Sequence, residues 1–97
     1  MQWTITNRLP ENEPDETNRA EYAHPQLMGG ASDDGRFVFD VVWAEMEECF
    51  VLTFLWVNDE FGFLEDQIRE YPKTRTDLLA RVAEFQAAPE LAFQNAA

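Results

Sequence analysis

Arg36 to Ala44 (RFVFDVVWA), Glu45 to Glu48 (EMEE) and Cys49 to Val57 (CFVLTFLWV) form the most apolar part of the chain. In the first piece Phe37, Phe39, Val41 and Trp43 alternate with Val38, Asp40 and Val42, the period-two pattern of a strand with one buried face. The last piece is almost wholly apolar and rich in β-branched and aromatic residues, which predicts a central strand covered on both faces. The connection lacks Gly, Pro or Asn, so a tight hairpin is not signalled. Ala44 to Glu48 are good helix formers, which leaves a helix through this region open. Asp40, Glu45, Glu47 and Glu48 lie within the stretch Phe37 to Val57 and exclude a transmembrane helix.

Upstream, Gln2 to Leu9 (QWTITNRL) alternates weakly and reads as a short strand ended by Pro10. Residues 10–34 read as a long surface loop, with Pro10, Pro14, Pro25 and the adjacent Gly29 and Gly30. A helical turn is expected near Thr17 to Tyr22. Asp33-Asp34-Gly35 is a turn signal ahead of the apolar stretch. Downstream, Asn58-Asp59 offers an N-cap, and Leu64, Ile68 and Tyr71 recur at i, i+4 and i+7. That spacing predicts an amphipathic helix stopped by Pro72. Thr74-Arg75-Thr76-Asp77 resembles a capping box with Asp in place of Glu. Behind it Leu78, Val82 and Phe85 make the stripe of a second helix, ended by Pro89, and residues 90–97 read as a frayed tail. The expected fold class is α+β. A small antiparallel sheet of about three strands carries two C-terminal helices on one face, within a single domain of residues 1–97.

Charge sets the function classes. The chain carries 19 Asp and Glu against 7 Lys and Arg, a net of -12 on 97 residues. Nucleic-acid affinity is built from Lys and Arg neutralising phosphates, so DNA and RNA are excluded as direct ligands, and anionic membranes are disfavoured. A basic protein surface is the natural complement. With 45% hydrophobic and 13% aromatic residues, the chain is too apolar for the disordered class. The single Cys49 gives no internal disulfide and no argument for an oxidising compartment. Met1 to Pro10 has no basic region followed by an apolar run, so no signal peptide is expected. The expected location is the cytoplasm of a host bacterial cell.

Catalytic and metal signatures are weak. His24 is the only histidine and Cys49 the only thiol, which leaves a Cys-His pair as a low-ranking hydrolase reading. The plainer reading makes Cys49 a small core residue and His24 a solvated loop residue. Zinc needs several Cys and His ligands at tight spacing. Asp33-Asp34-Gly35 lacks the acid pattern of a calcium loop. Gly29-Gly30 is an isolated pair, and nothing singles out one carboxylate pair for hydrolysis. No cofactor or metal is called for.

The acids themselves are the better candidates. Glu45, Glu47, Glu48, Asp59, Glu60, Glu65, Asp66 and Glu70 face one base, Arg69, between Glu45 and Glu70. Strand residues two apart lie about 6–7 Å apart, and helix residues four apart about 5–6 Å apart at Cβ. Glu45/Glu47 and Asp66/Glu70 therefore present carboxylates at spacings close to those of phosphates. Glu11, Glu13, Asp15, Glu16 and Glu21 form a second patch, and Asp33 with Asp34 a third. A competing reading gives the acids only a solubilising role, with a halophilic surface as one variant, since Lys73 is the only lysine. Trp3, Trp43, Trp56, Phe61 and Phe63 exceed what a core this small needs, and Phe61 or Phe63 beside the acids suits an interface anchor.

In size, acidity and lack of a catalytic signature the whole chain resembles the phage-encoded anti-CRISPR proteins and other DNA-mimic inhibitors. No motif carries the resemblance and no residue is carried over from it. What it implies is a mechanism: occupation of the basic nucleic-acid groove of a CRISPR effector subunit, blocking DNA by acidic surface mimicry. The rival function is an immunity protein or antitoxin that neutralises one basic toxin or nuclease through a few hot-spot aromatics and acids. A homodimer through an uncovered sheet face is a further expectation.

Overall fold

In the computed structural model, which describes residues 2–58 and 60–94, the chain runs β1 (Trp3–Asn7), α1 (Arg19–Tyr22), β2 (Met28–Ser32), β3 (Phe37–Ala44), β4 (Cys49–Val57), β5 (Leu64–Glu70), α2 (Arg75–Ala87) and α3 (Pro89–Gln94). The strands form one antiparallel sheet in the order β1-β2-β3-β4-β5, each pairing with its neighbour in sequence. The α+β class stands, but the sheet has five strands, not about three. Both apolar runs are strands, in register from Phe37↔Trp56 to Ala44↔Cys49. Glu45–Glu48 is a turn between them, not a helix, and it holds Glu48 at a positive φ of 52°.

Two strands were hidden by their composition. Leu64, Ile68 and Tyr71 were expected on a helix, yet residues 64–70 form β5. The i, i+4 spacing of Leu64 and Ile68 is also a multiple of two, so it suits a strand equally well. What decides between them is the β4 edge, whose backbone groups need partners. Gly62, at φ 74°, lets the chain turn back, with its N–H bonded to the Asn58 carbonyl. β2 lies inside the segment expected to be loop, because Gly29 and Gly30 are poor strand formers. Close packing requires Gly30, whereas Gly29 faces the movable end of a glutamine side chain. A Cβ on Gly30 would stand 2.5 Å from both Ile5 Cδ1 and Phe39 Cε1, and one on Gly29 2.5 Å from Gln26 Nε2.

One face of the sheet carries the core. Phe37, Phe39, Val41, Phe50, Leu52 and Phe54 are buried beneath Leu78, Val82 and Phe85 of α2 and Ala92 and Phe93 of α3. Phe85 is the keystone, stacked on Phe54 at 4.1 Å between centroids and within 6.3 Å of Phe37, Phe39, Trp3 and Phe93. Thr74 caps α2 as its sequence predicted, its side chain accepting a hydrogen bond from the Asp77 N–H. The stretch expected to fray carries α3, anchored by Phe93; residues 95–97 lie outside the described part. Among the described residues no helix lies on the other face of the sheet, since α1, α2 and α3 all pack into the core. No helix among the described residues is long and apolar enough to cross a membrane.

Candidate functional site

Antiparallel pairing sends the acids to opposite ends of the sheet. The Glu45–Glu48 turn joins β3 and β4 at one end; the turn from Asn58 to Phe63 joins β4 and β5 at the other, roughly 26 Å away along a nine-residue strand. The acids grouped between Glu45 and Glu70 by sequence are therefore not one surface. Asp66 and Glu70 sit four residues apart on a strand, about 13 Å along it, not on adjacent helical turns. Asp59 lies outside the described residues.

At the first end, the β3–β4 turn meets the loop that precedes and includes α1. Asp15, Glu16, Glu45 and Glu48 line one concavity of about 330 Å³, together with Pro14, Arg19, Lys73 and Trp43. Trp43 packs edge-on against Phe50 at 4.9 Å and tilts against Tyr22 at 5.9 Å, so the wall is tied to the core. Burial of Tyr22 pushes its hydroxyl above its ordinary pKa, and that hydroxyl donates to the Asn12 carbonyl. Several acids here are already engaged. Asp15 accepts from the Thr17 hydroxyl and from the Thr17 and Asn18 N–H groups, which holds its carboxyl below the usual range. Glu13 accepts from the first N–H groups of α2, and Glu45 pairs with Arg19 at 2.9 Å. Glu11, Glu16, Glu21, Glu47 and Glu48 are exposed and make no ion pair among the described residues.

At the second end, Asp34 is a turn constituent. It accepts from the Ser32 hydroxyl at 2.7 Å, then from the Arg36 N–H and side chain, which lowers its pKa to about 2. Asp33 is exposed beside it. Asn58 organises the neighbouring hairpin: its Oδ1 accepts from the N–H of Glu60 and Phe61, and its Nδ2 donates to Glu65 at 3.0 Å. Phe61 and Phe63 stand out from this tip at 66% and 67% exposure, with ring centroids 6.0 Å apart. Asp66 is in register with Trp56. Glu70 is held in a two-pronged pair by Arg81, at 2.6 and 2.8 Å, which raises the arginine's pKa and ties β5 to α2. Of the candidate acids, then, Glu70 and Asp34 serve the fold, whereas Glu47, Glu48, Glu60, Asp66 and Asp33 make no ion pair among the described residues.

Sequence reading placed the loop acids and the turn acids in separate patches. The structure brings Asp15 and Glu16 to Glu45 and Glu48. The only sequence signal for that meeting is the opposite charge of Arg19 and Glu45, which spacing alone cannot pair. Cys49 is buried while His24 is exposed. Comparison with protein-family models, with curated proteins and with solved structures finds no match.

Proposed function

We propose that the chain is an inhibitor that presents its acidic loop-and-turn end to a basic groove on another protein, a groove built to hold nucleic acid. A CRISPR effector complex is the target class taken first, the bacterial cytoplasm is the setting, and exclusion of DNA by charge mimicry is the mechanism. The observation that carries this reading is the convergence of carboxylates from two distant segments, Asp15/Glu16 and Glu45/Glu48, on one concave surface. Arg19 and Lys73 line the same surface, and Asp15, Glu16 and Glu48 are the carboxylates there that make no ion pair among the described residues. Exposed carboxylates opposite Lys and Arg speed encounter and select partners, and they do so less as salt rises.

A second reading, an immunity protein against one basic toxin, is favoured by the hairpin tip. Phe61 and Phe63 are large, exposed and flanked by Glu60 and Glu65, the composition of a hot spot with a polar rim. Affinity capture from bacterial lysate at low and high salt separates the two. The first reading expects a nucleic-acid-handling complex released as salt rises; the second expects one small basic protein retained in salt and lost on Phe61→Ala/Phe63→Ala. Capture of neither kind of protein contradicts both.

A further inference from the structure

The helix-free face of the sheet is as distinctive as the acidic end. Its outward strand positions are set by the register: Val38, Val42, Val51 and Leu55 fill the centre, with Thr4, Thr6, Gly29 and Ala31 toward the β1 edge. The charged residues at outward strand positions are Asp40, Glu65 and Arg69. A chain of net charge -12 thus leaves a whole face at a net of about -1, counted from those three residues. Two copies so strongly alike in charge can approach closely only where that charge is absent.

The charges that remain on the face are arranged for self-pairing. Asp40 on β3 and Arg69 on β5 are both in register with Thr53 on β4. They stand about 5 Å to either side of it, one strand spacing each way. Asp40 accepts from Gln26 Nε2 at 2.7 Å, while Arg69 is exposed and makes no ion pair among the described residues. We propose that this face is the interface of a homodimer, with a two-fold axis running along β4. Rotation about that axis exchanges the β3 and β5 sides. Each Asp40 then lies over Arg69 of the second copy, and Val51, Thr53 and Leu55 meet their own counterparts. The two sheets pack as an aligned sandwich about 10 Å apart, a gap that an arginine and an aspartate reaching toward each other span. The footprint is about 20 Å by about 25 Å per copy, or about 1,000 Å² for the pair, the lower bound for a specific interface. The acidic turns stay at the ends of the sandwich, open to other partners.

Sedimentation equilibrium of the full chain, at about 0.05 M and about 0.5 M salt, tests the arrangement. The expected result is a monomer–dimer equilibrium that shifts toward dimer as salt screens the overall repulsion. Arg69→Glu, at an exposed position, is expected to weaken the dimer tenfold or more by setting two acids opposite each other. Asp40→Arg/Arg69→Glu, which exchanges the charges, is expected to restore it. Circular dichroism confirms that each variant is folded. A monomer at every concentration and salt overturns the proposal, as does a dimer indifferent to Arg69→Glu in a folded variant.

Discussion

Single carboxylates in this protein divide into those that build turns and those left free. Asp34 belongs to the first kind, with Ser32 and Arg36 donating to it, and its pKa is held at about 2 against an ordinary 3.8. A lowered folded-state pKa stabilises above the unfolded value, and that contribution is lost as pH falls through the folded one. The stability advantage of wild type over Asp34→Asn should therefore be full above about pH 4 and shrink toward pH 2, read by urea denaturation across that window. A difference independent of pH would contradict the assignment. Glu48 belongs to the second kind. It occupies a left-handed conformation, φ 52°, that suits glycine, yet it keeps a carboxylate on the acidic concavity. Glu48→Gly should raise stability by up to about 1 kcal/mol, after glycine's own entropic cost. The same variant should bind the partner less well. Thermal melts paired with binding measurements check both, and lower stability would show that the strain is not there.

Elements were legible where side-chain alternation and composition agreed, as in β3, β4 and the Thr74-capped α2. They were illegible where local preference was overruled by a neighbour. β5 carries helix-compatible spacing, but an unpaired β4 edge and the Gly62 turn make it a strand. β2 looks like loop because its glycines answer to Phe39, Ile5 and Gln26, residues remote or unpredictable from the local sequence. As an edge strand, β5 pairs on one side only. Hydrogen exchange should show alternating protection from Leu64 to Glu70, with slow and fast amides interleaved. Uniform slow exchange with helical amide spacing would contradict it. The element most heavily relied on is α2, through Phe85. Phe85→Ala should cost about 3–5 kcal/mol in denaturant unfolding. A loss under about 1 kcal/mol would mean the helix is not seated as described.

For the whole molecule, the sequence revealed the amount of charge but not its distribution. Acids neighbouring in sequence, such as Glu48 and Glu65, stand at opposite ends because β4 separates them, whereas Glu16 and Glu45, far apart in sequence, line one concavity. The same topology leaves Asp40, Glu65 and Arg69 as the charged residues at the outward strand positions of one sheet face. This uneven distribution serves both proposals: the loop-and-turn end is proposed to meet a basic groove, and the charge-poor sheet face a second copy. Competition between the protein and target DNA for a purified multi-subunit CRISPR effector complex tests the central claim most directly, with wild type beside Glu16→Lys/Glu47→Lys/Glu48→Lys. Wild type is predicted to displace the DNA, less effectively as salt rises, and the folded triple variant to leave it bound. DNA binding unaffected by wild type, or blocked equally by the triple variant, would contradict the claim.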